Sequence, residues 1–373
     1  MTSVARKLLA LLTARERRRL GLLLGMIVLM GLLDMVSVAA IGPFLQLLSN
    51  PETTGSRVID AARWLLQPTS TQALLTWLAA IALVLVVTSL AFKALTIYAI
   101  TRFSQMRAFA LSKRLLGAYL RQPYSWFLGR HSADLGKGVL SEVDKVVSGA
   151  LVPGLQAVAQ LAVVFALVVL LVVTNPLAAL IGFVFVVGSY GAVFVLTRRK
   201  LRRIGGERVR ANEARYRFAQ ESLGGIKEIK LRGLEPVYLE RFSRPAFAFA
   251  DRQATATIIS QLPRYLLEGV VFGGMMALLL GLLLASDGRL EDVIPTLGVY
   301  AMAGARLFPA LQQVYAGISA LQFNGPAVEA LYDDMVDRNK TSETPWVDED
   351  GRALTLTERL DVSGVTFHYP QAD

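Results

Sequence analysis

The chain has 373 residues, 54% of them hydrophobic, with no cysteine and two histidines. Soluble domains are about 45–50% apolar and rarely hold several uninterrupted apolar runs near 20 residues, so the composition excludes an ordinary soluble fold. A net charge of +10 raises nucleic acid as a partner, but the basic residues alternate with apolar spans in the positive-inside manner, and no nucleic-acid partner is expected. Without cysteine there are no disulfides or thiolate sites, and two histidines are too few for a histidine-based metal centre.

In chain order, Met1 to Leu12 reads as a short amphipathic helix, with Val4, Leu8, Leu11 and Leu12 on one face and Arg6 and Lys7 beside it. A signal peptide is the competing reading, from the basic start, Leu20–Leu33 and the small residues Val38-Ala39-Ala40. Span 1 is Leu20 to Leu48, carrying Asp34 and a Gly21/Gly25 GxxxG pair. Val58 to Leu66 reads as a short external helix. Span 2 is Leu74 to Ile100, with Lys93 inside, and its helix continues as a polar, basic tract to Arg121. About twenty residues at 1.5 Å each carry the chain roughly 30 Å past the membrane. Pro123 stops that helix, Tyr124-Ser125-Trp126-Phe127 forms an aromatic knot, and a helix returns from about Ala133.

Span 3 is Leu151–Thr174, Asn175-Pro176 is a minimal turn, and span 4 is Leu177–Leu196. A basic helical tract, Arg198 to Arg232, leads to a second far turn at Gly233–Pro245. Span 5 opens with Gln261-Leu-Pro-Arg264-Tyr-Leu-Leu-Glu268, and span 6 contains Tyr300-Ala-Met-Ala-Gly-Ala-Arg306-Leu-Phe-Pro309. A charge at bilayer depth costs roughly 2.5–3.5 kcal/mol on insertion scales, so these arginines are expected to face protein or a wet cavity. Thr341 to Glu358 is a polar linker, and Leu360 to Pro370 alternates as a strand does. Basic residues crowd the N-terminus, Arg102–Lys145 and Arg198–Arg252, which places both termini and both long excursions in the cytoplasm.

Six spans with two long helical excursions and a terminal strand resemble the membrane half of a type IV ABC exporter. Gln122 to Ser132 looks like that family's first intracellular loop with its coupling helix. Ser222 to Lys230, followed by Glu235 to Phe242, looks like the approach to the second. Val365-Thr-Phe-His-Tyr369-Pro370 looks like the entry to a nucleotide-binding domain. The arginine-bearing segments of spans 5 and 6, with the external segment after span 1, resemble the subfamily that flips lipid-linked oligosaccharides, the PglK type.

The resemblance implies an all-α membrane fold of six long transmembrane helices with cytoplasmic extensions and coupling helices, an N-terminal interfacial helix and a short C-terminal strand. It divides the chain into an interfacial helix (1–19), the exporter transmembrane domain (20–338), a linker (339–359) and the start of a nucleotide-binding domain (360–373). It implies a homodimer in a bacterial inner membrane, in contact with membrane lipid. The cargo would be a lipid-linked glycan, held at Arg306, Arg264 and Lys93. Tyr369 would stack on adenine. Tyr124, Ser125, Trp126, Phe127, Glu235 and Tyr238 would couple to the nucleotide domain. No GxxxxGK[ST] phosphate loop occurs, so ATP and Mg2+ are expected to bind a nucleotide-binding domain that continues in cis beyond residue 373 or is supplied separately, and no catalytic residue or metal ligand is expected here.

Each of these residues has a plainer reading beside it. Arg306 would hold a pyrophosphate through its guanidinium fork, or bond a carbonyl freed near Pro309. Arg264 would face a cavity, pair with Glu268 four residues on, or snorkel to the interface. Lys93 would complete a cationic cavity or pair with Asp34. The aromatic knot would dock on a partner domain or simply pack its own turn. A drug, peptide or lipid exporter of the same fold, and a non-transporting scaffold or sensor, remain the alternative functions.

Overall fold

The computed structural model describes residues 2–49, 57–67, 70–128, 132–174, 176–285, 290–341, 359, 361 and 363–366. Among these the regular structure is wholly helical. Three described stretches are long and apolar enough to cross a membrane: Ala14–Leu48, Thr71–Leu120 and Leu135–Val173. Most side chains of expected spans 4 and 5, and those at the start of span 6, lie outside the described residues.

The first helices are α1 (Thr2–Ala10) and α2 (Ala14–Ala39). Thr13 opens α2 with a capping box: its hydroxyl accepts the Glu16 N–H, and the Glu16 carboxylate accepts the Thr13 N–H at 2.8 Å. The apolar stretch of span 1 runs to Leu48. Within it α2 stops at Ala39, and α3 (Ile41–Ser49) follows. Pro43 accounts for the break, since it has no N–H to donate and its ring crowds the carbonyl four residues back, at Ala39.

At this end of the molecule α3, α4 (Arg57–Leu66) and the start of α5 (Thr71–Leu120) pack over Leu47, Ile59, Leu74 and Leu78. α5 has 50 residues, about 75 Å of helix. Its C-terminus closes just before Pro123, where the Gln122 N–H donates to the Tyr119 carbonyl at 2.9 Å. The short helices α6 (Tyr124–Leu128) and α7 (Ser132–Lys137) make the first far turn. The chain returns through two π-helical turns, Gly138–Glu142 and Val147–Leu151, on either side of α8 (Val143–Val146), into α9 (Val152–Thr174).

α10 (Pro176–Gly224) carries the chain out again to α11 (Ile226–Arg232). Gly233, at φ 61°, closes α11 in the left-handed region, and the Leu234 N–H donates back to the Ile229 carbonyl at 3.0 Å. That is a Schellman cap, which a residue with a side chain adopts only under strain. α12 (Glu235–Ala285) starts two residues later. The expected far turn Gly233–Pro245 is therefore corrected to Gly233-Leu234. Pro236 falls in the first helical turn, where no backbone bond is lost, and Pro245 is carried inside the helix. α13 (Leu290–Thr341) completes the bundle.

α2, α5, α9 and α13 share one core, which includes Leu23, Ile27, Met30, Ile100, Val163, Leu167 and Ala303. The buried side of α2 reads Leu23, Ile27, Met30, Gly31, Asp34, Ser37, Val38, a helical repeat that turns Asp34 inward. Gly31 lets α9 approach closely, since a Cβ there would lie 2.9 Å from the Ala162 carbonyl oxygen; Gly21 and Gly25 face open space. A second core joins Leu111, Leu115 and Tyr119 of α5 to Val143, Val146, Val328 and Leu331 at the extramembrane end. α1 lies on it, with Val4 and Leu11 in that core, a Lys7–Asp333 ion pair at 3.0 Å, and Arg114 donating to the Leu11 carbonyl at 2.9 Å. The amphipathic face of α1 is thus covered by α5 and α13.

No strand forms among the described residues. Residues 361 and 363–366 are exposed, and Gly364 sits at φ 68°, which interrupts the extended run expected over Leu360–Pro370. Tyr369 lies outside the described residues.

Candidate functional site

Asp34 is 1% exposed on the apolar face of α2. A buried carboxylate without partners costs several kcal/mol, so its neighbours matter. Ser89 of α5 donates its hydroxyl to Asp34 Oδ1 at 2.8 Å. Arg306 of α13 forms an ion pair with the same oxygen through Nη1. Ser37 donates to the Asp34 carbonyl at 2.8 Å. One carboxylate thereby ties together α2, α5 and α13. The Arg306 side chain stays 17% exposed while that of Asp34 is 2% exposed, so the cation remains reachable and the anion does not.

The sequence offered Arg306 either an anionic ligand or a carbonyl near Pro309. The structure supplies a carboxylate 272 positions away in the chain. The expected pairing of Lys93 with Asp34 is corrected, because Arg306 takes the place. A planar guanidinium engages a carboxylate with a geometry that an ammonium point charge lacks. Lys93 is half-buried one turn beyond Ser89 on α5 and forms no ion pair among the described residues. Arg264 is exposed on α12 and does not pair with Glu268. Beside it, α10, α12 and α13 are tied by Tyr315, whose hydroxyl lies 3.3 Å from Thr197 Oγ1 and donates to the Ile259 carbonyl at 3.3 Å.

At the first far turn the four expected coupling residues separate. Tyr124 is 71% exposed. Trp126 packs on the extramembrane core, 5.9 Å from the Tyr119 ring and edge-on to Phe127 at 5.0 Å. The side chain of Ser125 lies outside the described residues. At the second turn Lys230 bonds Glu235 at 3.1 Å, and Arg241 stacks 5.5 Å from the Tyr238 ring. The Glu235 carboxyl is held below its usual value, first by the backbone N–H at its own helix start and then by Lys230. Leu223, Leu231 and Leu239 are exposed around this turn. The sequence reading passed over them because they sit among charged residues in a basic tract.

A buried polar knot links the π-helical return to α10. Asn212 donates to Glu142 Oε1 at 2.7 Å, and Arg215 donates to Asn212 Oδ1 at 2.7 Å while stacking 4.1 Å from the Phe249 ring. Arg208 is fully buried, 4.0 Å from Glu142 and 5.4 Å from the Phe323 ring centroid. Its three guanidinium nitrogens reach no hydrogen-bond acceptor among the described residues. Burial pushes the Arg208 pKa down, and the Glu142 charge partly offsets this. Two π-helical turns beside such a cluster mark a place where a helix gives up regular bonding to aim side chains. In the sequence Arg208 is one cation among many, with nothing to show that it turns inward.

Comparison with known families places this architecture. Residues 20–291, well over half of the chain, match the family model for the ABC transporter transmembrane region.

Proposed function

Since the chain belongs to the ABC transporter transmembrane-region family, we propose that it is the membrane half of an ATP-driven exporter whose cargo is a lipid carrying an anionic phosphate head. The preferred cargo is a polyprenyl-pyrophosphate-linked oligosaccharide, moved from the inner to the outer leaflet. Six spans with both termini in the cytoplasm, a homodimer, and ATP and Mg2+ bound by a nucleotide-binding domain belong to the same proposal. The observation that carries it is Arg306, a cation paired with Asp34 of the apolar stretch Ala14–Leu48 and still 17% exposed. A guanidinium in a low-dielectric setting attracts a phosphate far more strongly than it would in water.

In this reading the head group enters a space between protomers, drawn by Arg306, with Arg264 and Lys93 adding positive charge along the approach. The lipid tail stays in the bilayer. Closure of the nucleotide domains reaches the spans through Tyr124 at the first far turn, and through Glu235, Tyr238 and the exposed leucines at the second. Rigid helices about 75 Å long suit such a relay.

A second reading follows from Asp34. If its carboxylate serves only to neutralise Arg306, the arginine is structural and the chain is a drug, peptide or lipid exporter of the same fold. Arg306→Ala in the full-length protein separates the two. For the proposed cargo, flipping of a pyrophosphate-linked glycan in proteoliposomes is expected to fall at least tenfold, about 1.4 kcal/mol, with basal ATPase kept. Unchanged flipping with normal ATPase removes the anionic-lipid proposal.

A further inference from the structure

Any anion that Arg306 is to hold meets a difficulty, because the guanidinium already has a carboxylate. We propose that Asp34 is a resident counter-anion which an incoming phosphate displaces from Arg306, that Lys93 receives the displaced carboxylate, and that Asp34 thereby sets how strongly an anion must bind Arg306 to be held. This rests on the reading of Arg306 as the cation that holds the cargo.

The Arg306 side chain is 17% exposed and that of Asp34 2%, so an arriving anion meets the cation first. Two anions on one guanidinium repel each other, and the more highly charged one prevails. The loser is not left bare, since an unpaired carboxylate in this core is strongly unfavourable. Lys93 gives it a second place. Ser89, Thr96 and Ile100 mark the buried side of α5, and Lys93 is one turn beyond Ser89 along it. The ammonium forms no ion pair among the described residues, and a point charge on a four-carbon stem accepts a carboxylate without a fixed geometry. Moving the Asp34 partner from α13 to α5 also releases α13 from α2. Cargo charge then favours a state in which those two helices are free to part. The class of ligand selected is an anionic phosphate head group, the more highly charged pyrophosphate binding Arg306 more tightly than a phosphate monoester, which carries about −1.5 to −2 at pH 7. A neutral lipid does not compete.

The test measures equilibrium binding of farnesyl pyrophosphate and farnesyl monophosphate to the full-length transporter in nanodiscs. The wild type is expected to prefer the pyrophosphate. Asp34→Asn keeps the size of the side chain and removes the competing charge. It is expected to tighten both probes by about tenfold, since freeing Arg306 from its carboxylate costs the same for either anion. Asp34→Glu is expected to restore the weaker, wild-type binding. Lys93→Gln should weaken binding more in the wild-type background than in the Asp34→Asn background, where no carboxylate needs receiving. Weaker binding of both probes by Asp34→Asn overturns the exchange, because a carboxylate that only orients Arg306 behaves that way. Equal loss from Lys93→Gln in both backgrounds overturns the hand-over and makes Lys93 a direct cargo contact. A wild type that binds neither probe, or an Arg306→Ala variant that binds like the wild type, overturns the anion reading of Arg306 and the exchange with it.

Discussion

Arg208 sits wholly inside the extramembrane bundle, with Glu142 4.0 Å away and the Phe323 ring beside it. A buried cation with a single distant counter-charge contributes little net stability, yet it is very sensitive to loss of that charge. Glu142→Ala is expected to destabilise the protein by about 3–5 kcal/mol, read as a lowered thermal midpoint in detergent. Replacing both partners, Glu142→Met with Arg208→Met, should recover most of that loss, since an apolar pair of similar volume needs no desolvation. If the double variant is as unstable as Glu142→Ala, the pair is not what holds this position. The contrast with Asp34 is instructive: there the cation is the partly exposed member and the anion is sealed in. Access, rather than charge alone, makes Arg306 a candidate for ligand contact and Arg208 a candidate for structure.

At the level of helices, the approach of α10 to α13 depends on Gly205. A Cβ there would collide with the Phe323 carbonyl, while at the adjacent Gly206 nothing lies within 4 Å. Gly205→Ala is therefore expected to cost about 1–3 kcal/mol by forcing the two helices apart. Gly206→Ala should be neutral or stabilising by up to about 1 kcal/mol, through helix propensity. Circular dichroism melts of the two variants check the pair, and equal effects would mean that α10 and α13 are not in backbone contact at this point. The same contrast separates Gly31, which admits α9, from Gly21 and Gly25, whose GxxxG spacing meets nothing among the described residues. Other ties hold α10 to its neighbours more loosely. Arg202 pairs with Glu329 of α13 at 2.9 Å and Arg252 of α12 with Glu207 at 2.6 Å, in partly exposed settings where such pairs contribute under about 1 kcal/mol each.

For the whole molecule, the asymmetry of basic residues makes a statement about sidedness that the absence of cysteine renders easy to examine. Trp64 on α4 and Leu231 on α11 are both strongly exposed, at 79% and 77%. Trp64→Cys is expected to react with a membrane-impermeant maleimide on intact cells. Leu231→Cys should react only after the membrane is opened. Labelling of both from the same side would count against the proposed six-span topology. Labelling on opposite sides would put the small core of α3, α4 and α5 on the outer face and both far turns on the side on which ATP is found.

Apolar periodicity and proline positions by themselves determined that the chain is built of long apolar helices, and the neighbourhood of most helix ends. These are properties of a segment and its solvent, so they can be read locally. Pro43 and Pro245 show the limit even there. Either proline can break or enter a helix, and the sequence reading carried span 1 through the first and ended the turn at the second. The presence of Arg306 inside a span was legible, and so was the need of Asp34 for a cation. Which cation it took was decided only when α2, α5 and α13 came together, because a guanidinium and an ammonium compete for one carboxylate on geometry that exists only in the packed core. The inward turn of Arg208 and the exposure of Leu231 were likewise settled by packing, since burial belongs to the assembly of helices and not to any one of them.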